Sequence, residues 1–421
     1  MENVERLRGF SGTTVWSYFG QLSFQNSAIS LGQGAPDWQP SSWIKSHLRD
    51  AADGLGHQYA RDRGDLELVK ALANSYSQNL NRPIDEMTEV MVTNGATEAL
   101  YCAMMSIISD GDEVILFEPA FDIYPAQVHM AQGKCVWVSI DCNDNNWELD
   151  IKAIEQAITP KTRAIILNSP MNPTGSMLSI KDLESLADLL RKYPRIIAIC
   201  DEVYEYLYYS DKKHISLASL PGMFERCITI SSAAKTYSIT GWKVGWTVAP
   251  AGIITQMMGA QQWIVYSVCT PCQKAIAKII TQAQEKYTDD DGLKYDTYYD
   301  YLRQLYNKKI TKLMDYCKEV DLQPIPPNGA FYILCNISKI NIPEVYLNEV
   351  NTNGERVSKD WAFCLFLVKE IGVSAIPASA FYIRKESKYK AMNLIRLCAC
   401  KLDTTIDEAG VRLQKLKQYH V

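Results

Sequence analysis

The sequence lacks a long apolar run, a basic block and any recognisable histidine pattern. Each of these absences excludes a class of partner or site. No apolar run reaches the roughly 18 residues that a membrane-spanning helix needs, so we expect no membrane partner. Acidic residues outnumber basic ones, 48 to 43, and no lysine- or arginine-rich block stands out, which argues against nucleic acid as a partner. The five histidines show neither triad nor metal-ligand spacing.

Cysteine is plentiful, at 12 residues, but nothing beside it indicates secretion. The segment Met1–Arg6 carries acids and no apolar stretch, so we expect neither a signal peptide nor a transit peptide. We therefore predict free, buried thiols and a cytoplasmic location, with a mitochondrial location as the open alternative. The pairs Cys269/Cys272 and Cys398/Cys400 suggest zinc, but no histidine lies near them, and we predict no metal site.

Short apolar runs recur from residue 89 onward and alternate with helical patterns. Most of the runs are almost continuously hydrophobic, which is typical of strands buried on both faces of a mostly parallel sheet. Helices are predicted over Thr97–Ile108 and over Ile180–Tyr193, the second with Ser179 as its N-cap. The seven predicted strands span 89–93, 113–117, 134–138, 163–167, 196–200, 227–230 and 245–248.

The length of 421 residues and a change of pattern predict two domains. The last third contains a long amphipathic helix over 295–320 and a smaller mixture of strands and helices, including a strand pair near Val373 and Asn393. The tail up to about His47 reads as irregular, and we expect it to pack on that smaller part. The predicted fold is α/β: a large doubly wound domain (48–304) with a mostly parallel seven-stranded sheet, plus a smaller α+β domain (1–47 and 305–421).

Lys235 is the most informative residue. It follows the β-like run Cys227–Ile230, with Ser232 three residues before it and Lys243 eight residues after it. This arrangement suits a lysine that forms a Schiff base with an aldehyde cofactor, whose phosphate binds the serine hydroxyl and the second lysine. Taken alone, the segment fits a surface lysine in a serine-rich loop equally well.

Polar side chains follow four other predicted strands as well. Because ligands bind at the carboxyl ends of strands in open α/β sheets, we expect these segments to meet at one edge. Gly95, Ala96 and Thr97 begin a helix whose free N–H groups favour a phosphate, although a plain helix start is the commoner role. Phe121 can lie flat against an aromatic ring, and its alternative is an ordinary core position.

Three further residues suit a phosphorylated pyridine aldehyde. Asp201 ends an apolar strand, so it should be buried and paired with a positive group such as a protonated pyridine nitrogen; the alternative is a carboxylate that caps the next turn. Asn172 precedes Pro173 in a turn of the kind that adopts cis peptides, and its amide can donate to a phenolate oxygen. Tyr204 can reach the same oxygen.

At this point the chain resembles the fold-type I pyridoxal-phosphate aminotransferases, and most closely the kynurenine aminotransferase, glutamine transaminase K and cysteine-S-conjugate β-lyase group. The resemblance spans nearly the whole chain, and its most specific stretch is Lys235–Trp246. The other similar segments are Leu31–Asp37, Asp201–Glu205, Ile215–Met223 and Ala375–Tyr382.

The resemblance implies roles for further residues. It implies that Lys235 also moves a proton at the substrate, that Asn168 supports the cofactor pocket and that Arg396 binds the substrate α-carboxylate. It places Gly34 and Trp16 on the substrate side. It implies a homodimer, in which Tyr59 reaches the phosphate of the neighbouring subunit, and Tyr266 and Ser267 also act across the interface.

Some positions depart from this group, and they bear on the choice of substrate. Thr97 stands where an aromatic residue is frequent, Ser267 where a histidine is common and Met171 where an asparagine is common. The lysine chemistry is untouched by these differences, but the preferred amino acid is left open.

The sequence therefore predicts an aminotransferase dependent on pyridoxal 5′-phosphate. It would move the amino group of an aromatic, sulfur-containing or amide amino acid (kynurenine, glutamine, phenylalanine, tryptophan or methionine) to a 2-oxo acid. One alternative is a cysteine-S-conjugate β-lyase that uses the same site. A more distant one is a non-catalytic, cofactor-binding regulator, although no basic DNA-binding segment precedes the first strand.

Overall fold

The computed structural model describes residues 4–7, 9–10, 12–54, 56–143, 146–209, 213–350 and 354–420. Its largest sheet has seven strands and confirms the predicted set. Gly245–Val248 runs antiparallel to both of its neighbours, and the other pairings are parallel. In spatial order the strands are Val90–Thr93, Gly245–Val248, Cys227–Ser232, Ile197–Asp201, Thr162–Asn168, Glu113–Glu118 and Lys134–Ser139.

Both faces of this sheet are buried, which explains why its strands read as continuous apolar runs. Along one strand, Val90 and Val92 join one hydrophobic cluster while Met91, between them, joins a second cluster on the opposite face. Successive side chains of a strand point to opposite faces, so this alternation requires cover on both sides. The helix Ala96–Ile107 covers one face, and Leu66–Asn79 contributes to the other.

The helices account for most of the remaining regular structure. Ile180–Lys192 begins as predicted, because Ser179 and Asp182 form a reciprocal capping box at its first turn. In chain order the α-helices are Val15–Gln25, Ser42–Asp53, Leu66–Asn79, Ala96–Ile107, Ile123–Met130, Ile151–Ala157, Ile180–Lys192, Ala233–Thr236, Ala251–Gln261, Thr270–Gln282, Tyr298–Lys318, Glu344–Leu347, Lys359–Phe366 and Asp403–Leu413.

A second sheet lies in the C-terminal part and is antiparallel. Its strands, in spatial order, are Gln323–Ile325, Tyr332–Asn336, Leu394–Cys398 and Ile376–Pro377. Within the described residues, three two-stranded pairs complete the strands: Ile29–Ser30 with Val373–Ser374, Asp141–Asn143 with Asn146–Glu148, and Tyr287–Thr288 with Lys294–Tyr295.

Of two expectations for these outer parts, one was wrong and one is confirmed. The tail before His47 is not irregular, because it contains the helix Val15–Gln25 and the start of Ser42–Asp53. The predicted strand pair near Val373 and Asn393 is present, because Ile376–Pro377 runs antiparallel to Leu394–Cys398. Val373 itself pairs in parallel with Ile29, a partner more than 300 positions away that local pattern cannot reveal. The tail does contact the C-terminal part, as this pairing shows.

The predicted domain division stays a prediction. Its boundary at 304/305 falls inside the helix Tyr298–Lys318. Over the residues the structure describes, no helix is both long enough and apolar enough to cross a membrane.

Candidate active site

A cavity of about 380 Å³ lies at the carboxyl ends of the central strands. This is the edge at which the sequence places its polar segments. The cavity is lined by Trp16, Gly34, Gly95, Ala96, Thr97, Leu100, Phe121, Ile123, Tyr124, Asn168, Asn172, Asp201, Val203, Tyr204, Ser232, Ala234, Lys235, Thr240, Lys243, Tyr332 and Arg396.

One end of the cavity is formed by a helix start and a cation. Gly95 has a φ of 78°, a backbone conformation that favours glycine, and the helix begins at the next residue, Ala96. A side chain at Gly95 would bring its Cβ within 3.0 Å of Lys243 Nζ, so the lysine lies directly over the glycine. The N-cap residue makes no side-chain hydrogen bond to the first N–H groups of this helix, and Ala96 and Thr97 line the cavity. The arrangement offers a positive end for an anion.

Lys235 lines the cavity and is partly buried. Its Nζ donates a hydrogen bond to the backbone oxygen of Gly34 at 2.9 Å. Burial lowers the pKa of the Lys235 ammonium, because a charged amine loses hydration there. A larger fraction of neutral amine results, and the neutral amine is the nucleophilic form.

Asp201 is buried, as its position at a strand end predicts, and a tyrosine of the same cavity is hydrogen-bonded to it. Tyr124 OH donates to Asp201 Oδ2 at 2.7 Å. Burial raises the pKa of the Asp201 carboxyl to about 6, while the hydrogen bond from Tyr124 opposes that shift. The site therefore holds a carboxylate with an unusually strong affinity for a proton.

A chain of hydrogen bonds joins Asp201 to Arg396. Asn168 Nδ2 donates to the backbone oxygen of Asp201 at 2.9 Å, and Asn168 Oδ1 accepts from the backbone N–H of Asn172 at 2.8 Å. Asn172 Oδ1 then accepts from an NH1 hydrogen of Arg396 at 2.7 Å. The Asn172–Pro173 peptide is cis, as the sequence suggests.

Aromatic rings surround the guanidinium of Arg396. Its Cζ lies 4.3 Å from the ring centroid of Tyr332, 4.8 Å from that of Trp16 and 5.1 Å from that of Phe381. Another donor bonds the backbone oxygen of Gly32. Arg396 Nε is buried without a partner in the described part of the chain, so the guanidinium has a donor to offer a ligand.

Two neighbouring groups hold the walls beside Arg396. Trp16 Nε1 donates to Asp122 Oδ2 at 2.8 Å, which fixes the indole plane. Tyr204 OH and Tyr332 OH lie 2.7 Å apart, and either can be the donor. Both tyrosine side chains are buried.

The structure brings most of the predicted site residues into this cavity. Fourteen of them line it: Trp16, Gly34, Gly95, Ala96, Thr97, Phe121, Asn168, Asn172, Asp201, Tyr204, Ser232, Lys235, Lys243 and Arg396. Tyr59, Tyr266 and Ser267 do not line it. Tyr59 and Tyr266 are exposed and meet edge to face at 5.6 Å, and Ser267 Oγ donates to the Ala60 backbone oxygen at 3.2 Å.

Sequence reasoning missed two tyrosines of the cavity, Tyr124 and Tyr332. Tyr124 lies three residues after Phe121, one turn along the same segment, and that spacing could have indicated it. Tyr332 has no local signal, because only the pairing of two distant strands brings it beside Arg396.

Metal ligation has no candidate among the residues with described positions: no three His, Cys, Asp or Glu side chains are grouped to hold an ion. Cys398 Sγ and Cys400 Sγ lie 3.6 Å apart in the interior.

Comparison with known proteins places this cavity in a family context. The family model for class I and II aminotransferases matches residues 26–413. A kynurenine–oxoglutarate transaminase of Dictyostelium discoideum is 36% identical over 97% of this chain and 95% of the relative, and human kynurenine–oxoglutarate transaminase 3 is 36% identical over 97% and 88%. A solved Escherichia coli structure with an identified methionine aminotransferase function superposes with a TM-score of 0.87, at 30% identity, over 99% of this chain and all of that one.

Proposed function

The chain belongs to the class I and II aminotransferases, and from this premise we propose that it binds pyridoxal 5′-phosphate at Lys235 and transfers amino groups from aromatic, sulfur-containing or amide amino acids to a 2-oxo acid. One observation carries the proposal: a partly buried lysine of lowered pKa, a buried carboxylate and an arginine with an unpaired donor line one cavity.

The residues of the cavity fit the cofactor from end to end. Its phosphate would meet the N–H groups that follow Gly95, the hydroxyl of Ser232 and the ammonium of Lys243. Asp201, whose raised pKa marks a strong proton acceptor, would face the pyridine nitrogen. Tyr204 and Asn172 would flank the phenolic oxygen, with Asn168 holding Asn172 in place, and Phe121 would lie against the ring.

When bound, the cofactor supplies an electron sink for the negative charge that develops at the substrate α-carbon. Asp201 would hold a proton at the ring nitrogen and so keep that sink effective. Lys235 would take the proton from the substrate α-carbon and deliver it to the C4′ carbon of the cofactor, and its burial would help because a neutral amine is the competent base.

Arg396 defines the substrate end. Its face packs on Tyr332, Trp16 and Phe381, so its in-plane donors remain directed at a carboxylate. Of the described residues that line the cavity, only Lys235, Lys243 and Arg396 carry positive charge. Lys243 and Lys235 are engaged at the cofactor, so a second substrate carboxylate lacks a partner there.

The amino donor is therefore proposed to carry an uncharged side chain. Trp16 offers a flat apolar wall that suits an aromatic or thioether group. The names of the relatives, which include kynurenine–oxoglutarate transaminases and a methionine aminotransferase function, support the same choice.

We also propose a homodimer with shared active sites. Tyr59 and Tyr266 are large, exposed and in contact, and they lie outside the cavity of their own chain. Trp263 and Ile264, close to Tyr266 in the sequence, are exposed as well. A second copy that covers this surface would remove these side chains from water and bring Tyr59 towards the partner's phosphate site.

Reduction with borohydride tests the attachment site. Purified protein supplied with pyridoxal 5′-phosphate should be yellow, and reduction followed by peptide mass spectrometry should locate the adduct on Lys235. An adduct on any other lysine, or none at all, would contradict the proposal.

An amino acid panel tests the chemistry. Transamination of phenylalanine, methionine, glutamine or kynurenine should exceed that of aspartate. A cysteine S-conjugate in the same panel separates the lyase alternative, since elimination releases pyruvate and ammonia without an amino acceptor. Cofactor binding with no turnover of any substrate would favour the non-catalytic regulator.

A further inference from the structure

Tyr332 is placed by the pairing of two distant strands. In the second sheet Leu334 lies opposite Arg396, and Tyr332 precedes Leu334 by two residues, so Tyr332 and Arg396 are on the same face. They are diagonal neighbours across the strand pair, a separation that long side chains bridge. Tyr332 is 2% exposed, and it belongs to the cavity wall.

Its two ends contact two different parts of the site. The hydroxyl lies 2.7 Å from the hydroxyl of Tyr204, while the face of the ring lies 4.3 Å from the Arg396 guanidinium carbon. The hydroxyl also packs against Gly34, where an added Cβ would collide with it. Gly34 in turn accepts the hydrogen bond from Lys235.

We propose that Tyr332 is a positioning residue for transamination: its hydroxyl orients Tyr204 towards the cofactor, and its ring orients Arg396 towards the substrate carboxylate. The inference rests on the proposed function. It gives one side chain the role of setting the spacing between the cofactor and the substrate carboxylate.

The Tyr332 hydroxyl acts by setting the direction in which the Tyr204 hydroxyl donates its proton. Burial raises the pKa of both Tyr204 and Tyr332, so both stay protonated at neutral pH. When Tyr332 donates to the oxygen of Tyr204, the proton of Tyr204 remains free to bond an acceptor in the cavity. The hydrogen bond that Tyr204 receives also makes Tyr204 a stronger donor to that acceptor. A phenolic oxygen of the cofactor is such an acceptor.

The ring acts through its face. A guanidinium over an aromatic face is attracted without using any N–H group, so its in-plane donors stay available for a carboxylate. Asn172 and the backbone oxygen of Gly32 fix two donors of Arg396, and Tyr332 fixes its tilt.

Tyr332→Phe removes only the hydroxyl. In the loaded enzyme, the pH midpoint of the cofactor's visible absorbance should rise by about half a unit or more, because the donor to the phenolic oxygen becomes weaker. The turnover number should fall by about three- to tenfold, and the dissociation constant of 3-phenylpropanoate, an unreactive carboxylate, should change less than about twofold. A midpoint that stays unchanged with the cofactor bound overturns the inference.

A double-mutant cycle separates positioning from general damage. Tyr204→Phe should move the midpoint further in the same direction, and Tyr332→Phe should add nothing in that background. Additive shifts would show that the hydroxyl does not act through Tyr204. Tyr306→Phe is the matched control, because Tyr306 is a buried tyrosine stacked on Phe331 whose hydroxyl has no partner within the described chain. It should leave the midpoint unchanged.

The ring is tested by Tyr332→Leu, which should weaken 3-phenylpropanoate binding about tenfold where Tyr332→Phe does not. Equal binding by the two variants would overturn the ring's role. If Tyr332→Phe does not fold, 3-fluorotyrosine at 332 keeps the shape and makes the hydroxyl a stronger donor, so the midpoint should fall; no change overturns the inference. Wild-type protein that never binds the cofactor would instead refute the proposed function.

Discussion

The two ends of the cavity are built in different ways. The cofactor end, formed by residues 95–97, 121, 168–172, 201–204 and 232–243, comes almost wholly from the loops that follow strands of one sheet. The substrate end, formed by Trp16, Gly34, Tyr332 and Arg396, comes from both extremities of the chain. One end is the edge of a rigid sheet, and the other depends on the docking of distant segments.

Specific contacts carry out that docking. Arg396 bonds the backbone oxygen of Gly32, and Lys401 Nζ donates to the backbone oxygen of Ala35 at 2.7 Å. Asp37 accepts from the backbone N–H of Leu402. The strand that carries Arg396, together with the residues just after it, therefore also anchors the segment that carries Gly34. Substrate affinity should depend on this anchoring, while cofactor attachment should not.

The largest effect is expected at the cofactor end. Lys235→Ala removes the covalent attachment and the proton carrier together, so turnover should fall by about 10⁴-fold or more. Steady-state kinetics and borohydride labelling measure the two losses. Carboxylate binding at the substrate end should survive in this variant, and loss of 3-phenylpropanoate binding as well would mean that the two ends are not separable.

The next largest effect on kcat is expected at Asp201, and it can be compared with a second buried carboxylate that is close in sequence. Asp201→Asn should lower kcat by about 100- to 1000-fold, because a neutral amide cannot hold the proton at the ring nitrogen. Glu205→Gln is the matched control. Glu205 is also buried, but its oxygen accepts from Tyr76 and Ser231, outside the cavity. Comparable activity in Asp201→Asn and wild type, with cofactor bound, would show that Asp201 has another role.

The same contrast explains what could be predicted from the sequence. The residues of the cofactor end can be predicted by a rule. Strands appear as apolar runs in the sequence, ligands bind at the carboxyl ends of such strands, and the residues found there are polar. Asp201, Asn172 and Lys235 were reached in this way. Their neighbours within the chain were less accessible, since Tyr124, which donates to Asp201, was not predicted.

No such rule predicts the residues of the substrate end. Arg396, Trp16 and Gly34 were reached only through the resemblance to known aminotransferases. Tyr332 was missed because its environment depends on strands more than 50 residues apart. The parallel pairing of Ile29 with Val373, which spans a far longer stretch of chain, was missed for the same reason. Periodicity indicates which face of a strand is buried, but not which strand lies beside it.

A third prediction concerns stability of the cofactor-free protein. The folded pKa of Asp201, about 6, lies above its ordinary value of 3.8, so the native state binds the extra proton. This stabilisation is present below pH 4 and is lost as pH rises through 6, by on the order of 2 kcal/mol. Urea unfolding at pH 4.5 and 7 should show the decline, and Asp201→Asn should reduce it.

Cofactor binding provides the internal comparison for that measurement. Once the ring nitrogen faces Asp201, the contribution of Asp201 should disappear. Burial raises the pKa of Glu205 to about 7 in the same direction, but Glu205 lies outside the cavity, so its contribution should persist with cofactor bound. If bound cofactor reduces the contributions of Asp201 and Glu205 to the pH dependence of stability equally, the raised pKa of Asp201 is not specific to the cofactor end.

The smallest effect is expected at the substrate end. Arg396→Lys keeps the charge but replaces a planar fork by a single ammonium, which cannot bond Asn172, Gly32 and a carboxylate in one plane. The value of kcat/KM should fall by about 10- to 30-fold for phenylalanine, methionine and glutamine alike, since all share the α-carboxylate. Trp16→Leu is the contrasting variant: it alters the side-chain wall, so phenylalanine should lose more than glutamine. Selective loss of one substrate in Arg396→Lys would mean that Arg396 binds side chains rather than the common carboxylate.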